Sequence, residues 1–215
     1  MKRSFLAAVA FVFVAASFAN ATSIPLGSSG WQVVWDSGLN PYLNITVEGE
    51  DADAVYIHKT VEFIQGPDEF GNFPTIPITF WQIGPSTITK IVILDETIKN
   101  STGANWTDFH WDLIDHGEAW FIHDPGWFFK TSPLDNQSWA RDDMNFSVDG
   151  FATNGVVYNG SVWQPGIGVD GGELVIHVTS KPAAPYTLFT LKETPTPEPA
   201  SLLLLVLGAM MLRRR

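Results

Sequence analysis

The chain has 215 residues, of which 45% are hydrophobic, 13% aromatic and only 16% charged, a composition typical of a globular body and unlike a disordered tail or a coiled coil. Five of the twelve basic residues lie at the extreme ends, which leaves seven basic and 23 acidic residues between them, a net charge of −16. Such a body repels phosphates, so nucleic acid is disfavoured as a partner. The absence of cysteine excludes disulfides, thiol catalysis and cysteine-based metal sites.

Residues 1–21 have the three parts of a secretory signal peptide. Lys2 and Arg3 form the basic start, an apolar run follows over residues 5–18, and Ala19 and Ala21 form a small-x-small cleavage site. We therefore expect export by the Sec machinery and cleavage after Ala21. An uncleaved membrane anchor is the alternative, but the apolar run is short for a transmembrane helix of about 20 residues.

The segment 22–194 is expected to be one extracellular domain, because no Gly/Ser linker or charge block divides it. Its apolar stretches are short, rich in β-branched and aromatic residues, and separated by Gly, Pro, Asn and Asp. No long stretch has helical periodicity. We predict an all-β fold, a single antiparallel β-sandwich of the jelly-roll kind, with strands near residues 31–36, 44–47, 54–63, 75–83, 87–99, 107–114, 118–123, 155–162, 173–179 and 186–192.

The acidic residues Glu48, Glu50, Asp51 and Asp53 alternate through one predicted loop. Loops of this kind can turn several carboxylate oxygens towards one cation, so they are the candidate calcium ligands. The spacing differs from that of an EF-hand loop, and the alternative is a solvated loop that keeps the protein soluble. No other cofactor is predicted.

Residues 88–114 have the pattern of a β-hairpin, with a turn at residues 100–105. In the returning strand, residues of opposite character alternate and should face opposite sides of the sheet. We expect the core side to carry Phe109, Trp111 and Leu113, and the other side Asp108, His110 and Asp112.

Nine tryptophans are many for a core of this size. Exposed indole rings stack on the flat apolar faces of sugars, while neighbouring Asp, Asn and Gln bind the hydroxyls. Four tryptophans lie beside predicted turns and are the candidate sugar-binding residues: Trp106, Trp127, Trp139 and Trp163. The others alternate with polar residues in strand-like segments and are expected in the core: Trp31, Trp35, Trp81, Trp111 and Trp120.

No motif of a known catalytic site occurs, and no pair of acidic residues stands out as an acid and a base, so we assign no catalytic residues and do not expect an enzyme. Asn-x-Ser/Thr triplets, the acceptor pattern for N-glycosylation in eukaryotic secretory proteins, are also common in β-turns and on exposed strands. Six of them begin at Asn44, Asn100, Asn105, Asn136, Asn145 and Asn159.

The C-terminal segment 195–215 contains Pro197-Glu198-Pro199, an apolar stretch over residues 200–212, and Arg213-Arg214-Arg215. Thirteen helical residues reach about 20 Å, less than the thickness of a bilayer core, and the arginines should stay on the cytoplasmic side. These three parts in this order resemble the PEP-CTERM sorting signal of bacterial exosortase substrates. A plain C-terminal tail anchor is the alternative.

The resemblance implies transient retention in the inner membrane through the C-terminal helix, cleavage near Pro197-Glu198-Pro199 by an exosortase, and delivery to the cell surface or to an exopolysaccharide matrix. The segment 96–110 also resembles one that recurs in PEP-CTERM proteins, and it brings no catalytic residue with it. We therefore expect a structural or adhesive component of the matrix. The alternatives are a carbohydrate-binding module that uses the turn tryptophans, and a secreted hydrolase with an acidic pair.

Overall fold

The computed structural model describes residues 20–114, 118–121, 136–142, 147–153, 156–165 and 173–197, with only the backbone for 136–142, 147–153 and Pro197. These residues form thirteen strands in two sheets. Sheet A has seven strands, and their order across the sheet is β1 (Ala21–Pro25), β2 (Trp31–Asp36), β5 (Ile76–Gln82), β13 (Leu188–Pro197), β7 (Trp106–Ile114), β10 (Ser147–Thr153) and β9 (Asn136–Asp142).

Sheet B has six strands. Five lie in the order β3 (Leu43–Glu50), β4 (Ala54–Phe63), β6 (Lys90–Asn100), β12 (Leu174–Val178) and β8 (Ala119–Phe121). The sixth, β11 (Val162–Trp163), pairs with the far end of β6. The pairing between β4 and β6 is parallel, whereas the other pairings are antiparallel. A parallel neighbour is possible because β5 lies in sheet A and carries the chain back before β6 begins.

The two sheets pack face to face, and alternating residues of each strand meet between them. The inner positions of β7 are Phe109, Trp111 and Leu113, and each of them is fully buried, as the sequence predicts. Phe80 of β5 stacks on Phe189 of β13 with 5.0 Å between the ring centres. The predicted β-sandwich is therefore confirmed, with one parallel strand pair inside an otherwise antiparallel fold.

The predicted hairpin at residues 88–114 is wrong. β6 lies in sheet B and β7 in sheet A, so the turn between them carries the chain from one sheet to the other. Asn100 sits at this crossing with no exposed surface, and its Nδ2 donates to the carbonyl oxygens of Ala104 (2.9 Å) and Val157 (3.1 Å). A buried amide that binds the main chain on two sides holds an arch between sheets, whereas a hairpin turn would be solvated.

Several strand boundaries also differ from the prediction. The strands β1, β9 and β10 were not predicted, and the strand predicted for residues 155–162 is not continuous. There, Val157 forms a single bridge to Trp106, a turn with a positive φ of 82° at Gly160 follows, and β11 contains only two residues. β13 extends to Pro197, three residues beyond the predicted end of the domain.

Proline is accepted at this end of β13 because β5 stops pairing at Glu193, so only β7 accompanies the strand further. Over the described ranges, no helix is long and apolar enough to cross a membrane.

Candidate ligand-binding surface

Two of the four predicted sugar-binding tryptophans lie in the core. Trp106 is fully buried, donates its indole N–H to the hydroxyl of Thr102 (3.2 Å), and packs edge-on against Phe63. Trp163 is 2% exposed and packs edge-on against Phe109. Neither offers a free ring face to a sugar, so the prediction is wrong for both. For Trp106, proximity to a turn was misleading, because the turn between β6 and β7 crosses from one sheet to the other and draws Trp106 inward.

The other two predicted platform residues are not located as side chains. Trp139 belongs to β9, where only the backbone is described, and Trp127 lies outside the described residues. Among the tryptophans expected in the core, Trp31, Trp35 and Trp111 are buried, whereas Trp81 is half-buried. The fifth, Trp120, is exposed.

Trp120 lies on the outer face of sheet B, with 41% of its surface exposed. Its neighbours in β8, Ala119 and Phe121, point into the core, so the alternation of the strand turns the indole outward. His177 is its cross-strand partner on β12, and the two rings stack with centres 5.5 Å apart and planes 29° apart. One face of the Trp120 indole therefore packs on His177, while much of the side chain remains exposed.

A row of polar groups continues this surface across sheet B. His177 pairs in register with Lys90 of β6, whose Nζ lies 2.7 Å from Oδ2 of Asp53. Burial and the nearby charge of Lys90 lower the pKa of His177, so its imidazole is neutral at neutral pH. The row thus combines a flat aromatic pair with a cation and an anion at fixed positions.

The four candidate calcium ligands do not share one centre. Glu50 accepts hydrogen bonds from the N–H (2.7 Å) and the hydroxyl of Ser28, while Oε1 of Glu48 lies 3.9 Å from Nε2 of His58. Asp51 accepts the N–H of Asp53 (2.7 Å). Within the described parts of the chain, no three His, Asp or Glu side chains come together as a metal site.

Hydrogen bonds keep three of these carboxylates ionised. The pKa of Glu50 is lowered chiefly by the Ser28 hydroxyl, that of Asp51 by the N–H of Asp53, and that of Asp53 by Lys90. Each carboxylate is stabilised in its charged form by its own donor. They therefore act as fixed acceptors and anions, and none of them has the raised pKa of a general acid.

A cleft of about 450 Å³ with both polar and apolar lining lies beside this row. It opens where the loops β1–β2, β3–β4 and β5–β6 meet, and its lining includes Ser28, Glu50, Asp51, Ser86 and Thr87. The segments 51–53 and 87–90 join it to the row described above, because the N–H of Thr89 donates to the carbonyl oxygen of Asp53 (2.8 Å). We call the cleft and the row from Asp53 to Trp120 together the candidate surface.

Most of the predicted sorting and cleavage residues lie outside the described residues: Ala19, Glu198, Pro199, Arg213, Arg214 and Arg215. The two that are described stand at the ends of the fold. Ala21 is the first residue of β1, and Pro197 is the last residue of β13. The sandwich thus overlaps each predicted signal at its edge, by Ala21 at the start and by residues 195–197 at the end.

Comparison with protein-family models and with curated proteins yields no match. Among solved structures, the chain is similar to one described as a novel type I cohesin–dockerin complex, Coh-OlpC-Doc435, from Clostridium thermocellum. The identity is 11%, the similarity covers 70% of this chain and 91% of that chain, and the TM-score is 0.26. The β-sandwich is defined by the sheet topology alone.

Proposed function

We propose that this protein is an exported, non-enzymatic structural or adhesive component of an exopolysaccharide matrix, and that it contacts glycan through the candidate surface. The observation that carries the proposal is Trp120, an exposed indole stacked on neutral His177 on a flat sheet face. A sugar ring that covers the free indole face buries apolar surface on both partners. The hydroxyls and carboxylates of the cleft, at the other end of the candidate surface from Trp120, provide hydrogen-bond partners for hydroxyls of the same glycan chain.

The two end signals provide the route to the matrix. Cleavage after Ala21 would remove the leader and leave β1 in place, since Thr22 pairs with Trp35 and its hydroxyl donates to Oδ1 of Asn40 (2.7 Å). At the other end, the exosortase motif would begin where β13 ends. We propose Sec export, transient retention in the inner membrane and exosortase cleavage, after which the folded sandwich remains at the cell surface or enters the matrix.

The ionisation of the acidic groups on the candidate surface favours binding over catalysis. A glycoside hydrolase needs one carboxyl group that stays protonated until it reaches the leaving oxygen. Glu50, Asp51 and Asp53 all have lowered pKa values because donors hold them in the charged form. Such groups suit sugar hydroxyls or a cation, and they do not provide the acid that a secreted hydrolase would need.

The test is retention of the protein on the producer's own matrix polysaccharide, with W120A as the variant. We expect W120A to bind about tenfold more weakly, equivalent to about 1.4 kcal/mol. F70A and Y158A are matched controls, because Phe70 and Tyr158 are exposed by 74% and 63% and lie away from the candidate surface. Equal retention of W120A and wild type, or no retention of wild type, would contradict the proposal. Loss of retention in a chelator would assign a bridging role to calcium.

The sorting part is tested separately by replacing Pro197, Glu198 and Pro199 with alanine in the producing organism. We expect the full-length chain to accumulate in the membrane fraction, because the exosortase motif is lost. P195A is the control, since Pro195 belongs to the same end of β13 but lies outside the motif. Unchanged processing and location in the triple variant would contradict exosortase sorting without affecting the glycan proposal.

A further inference from the structure

Three ionisable residues lie together in the dry interior between the sheets. Lys59 of β4 and Glu96 of β6 are register partners in sheet B, and Glu193 of β13 reaches them from sheet A. Lys59 is 1% exposed and both glutamates are fully buried. The Nζ of Lys59 contacts Oε1 of Glu96 and Oε2 of Glu193. One amine thus lies between two carboxyl groups in a place that water does not reach.

The neighbours of this cluster fix the two carboxyl groups differently. Oε2 of Glu96 accepts the indole N–H of Trp111 at 2.9 Å. Among the described residues, Oε1 of Glu193 has no hydrogen-bond partner. Glu96 therefore has an N–H donor on Oε2 and only the contact with the Lys59 amine on Oε1, while Oε1 of Glu193 has room for a proton.

Burial opposes the charged forms here. It raises the pKa of Glu193 and lowers the pKa of Lys59, because neither charge is solvated. With two carboxyl groups and one amine in a site of low dielectric constant, a neutral Glu193 avoids a second buried negative charge. A lowered pKa makes it easier for the ammonium of Lys59 to lose a proton and become a nucleophilic amine, while the protonated carboxyl group of Glu193 is an acid. The cluster thus places a nucleophile and a proton donor beside the carboxyl group of Glu96, as a condensation requires.

We propose that Lys59 and Glu96 condense to an amide that joins Nζ to Cδ and covalently links β4 to β6. The C–N bond forms, the bond from Cδ to Oε1 of Glu96 breaks, and Oε1 leaves as water. The ammonium of Lys59 supplies both protons of that water, and one proton stays on the amide nitrogen. The reaction requires no oxidant, metal or cofactor to balance.

Glu193 and Trp111 have separate roles in this reaction. Glu193 contacts Nζ, so its carboxyl proton passes to the leaving oxygen of Glu96 and the carboxylate so formed takes a proton from the attacking nitrogen, which restores neutral Glu193. The N–H of Trp111 stabilises the negative charge that develops on Oε2 of Glu96 when the nitrogen attacks. The proton relay and the oxyanion donor both come from sheet A, whereas the reacting pair lies in sheet B, so the site is complete only when the sandwich has closed.

The buried interior holds the amine and the carboxyl group together and excludes water, and both effects favour the condensation. Fixed reactants have effective concentrations of about 10⁵–10⁸ M in favourable geometries. The water that leaves enters bulk solvent, and the product replaces a buried ion pair that is costly to desolvate. An amide would close residues 59–96 into a covalent loop in a chain that has no cysteine for disulfides.

The test is peptide mapping of the purified full-length chain, denatured in guanidinium chloride and digested with trypsin. We expect trypsin not to cut after Lys59, and the peptide that contains Lys59 to be joined to residues 91–99. The joined mass should be lower than the sum of the two peptides by one water molecule. Complete cleavage after Lys59, with two separate peptides from folded wild-type protein, would overturn the proposal. A link between Lys59 and Glu193 would overturn the assigned roles.

E193Q tests the mechanism, because glutamine keeps the shape of the side chain and cannot relay the proton. We expect the link to form at least about 100-fold more slowly in this variant. Circular dichroism confirms that the variant is folded, and an unchanged yield of the link would contradict the role of Glu193. If E193Q does not fold, the mapping of wild type decides the proposal.

Strands β4 and β6 also contain a second pair of glutamate and lysine, which serves as a matched control. Glu62 and Lys99 are register partners on β4 and β6, with 2.8 Å between Oε1 and Nζ, but both remain partly exposed to solvent. We expect no link between them in wild type, because water solvates both charges. E62Q should leave the yield of the Lys59–Glu96 link unchanged, and an equal loss of the link in E62Q and E193Q would contradict a specific role for Glu193.

Discussion

The indole N–H of Trp111 donates to Oε2 of Glu96 at 2.9 Å, and this hydrogen bond crosses the interior from sheet A to sheet B. Both residues are fully buried, so neither partner could turn to water if the other were lost. The bond links β6 and β7, which are consecutive in the chain but belong to opposite sheets. It is one of the polar contacts that fix how the two sheets face each other.

We expect W111F to destabilise the fold by about 1–3 kcal/mol more than W35F, as measured by urea unfolding. Both changes remove the same atoms and an indole donor. Trp35, however, donates to Asn40 (3.0 Å), which is exposed and can bind water instead. The difference between the variants therefore includes the cost of a buried oxygen of Glu96 that has lost its donor. Equal unfolding free energies would contradict a structural role for the Trp111 hydrogen bond.

Period-two alternation predicted most strands well, because a strand with one buried face must alternate whatever its neighbours are. The same argument does not determine the sheet to which a strand belongs. The segment 88–114 has a hairpin pattern, yet the arrangement is set by buried contacts of Asn100 and Trp106 with distant residues such as Val157 and Phe63. Long-range packing of this kind is not contained in local spacing.

The phase of the alternation did carry information about the residues to which we assign proposed roles. Lys59 is in phase with the buried residues Val55, Ile57 and Val61 of β4, which marks it as an inward-facing lysine. Trp120 is out of phase with its buried neighbours Ala119 and Phe121, which marks it as outward-facing. The phase does not identify the partners of these two residues. His177, which stacks on Trp120, and Glu193, which contacts Lys59, belong to strands far away in the chain.

A substitution of Asn100 tests the crossing of the chain from sheet B to sheet A. We expect N100D to destabilise the protein by about 2–4 kcal/mol, as measured by chemical unfolding, because the carboxylate removes two donors and faces the carbonyl oxygens of Ala104 and Val157. N44D is the control, since Asn44 is exposed on β3 and its replacement should change the unfolding free energy by less than about 0.5 kcal/mol. Similar values for both variants would contradict the buried arch. Because Asn100 is buried and hydrogen-bonded, we also expect no glycan on it.

The stacked pair on the candidate surface should respond to acid at a pH lower than that of an ordinary histidine. Burial is the main reason that the pKa of His177 lies below 6.5, and the charge of Lys90 lowers it further, while Asp53 acts in the opposite direction. The folded protein thus binds this proton less readily than the unfolded chain. The stability that neutral His177 contributes is present above pH 6.5 and is lost as the pH falls below that value.

Removal of the charge of Lys90 or of Asp53 should shift the titration midpoint of His177 in opposite directions. We expect K90M to raise the midpoint of His177, since a repelling cation is removed, and D53N to lower it, since an attracting anion is removed. The midpoints are measured by NMR from the imidazole ring protons, and H177Q identifies the resonance among the five histidines. Shifts in the same direction, or a wild-type midpoint above 6.5, would contradict this account.

Protonation of His177 also places a cation against the indole of Trp120, so tryptophan fluorescence should change in parallel with the titration of His177. If this change is absent in W120F, the two rings remain stacked in solution.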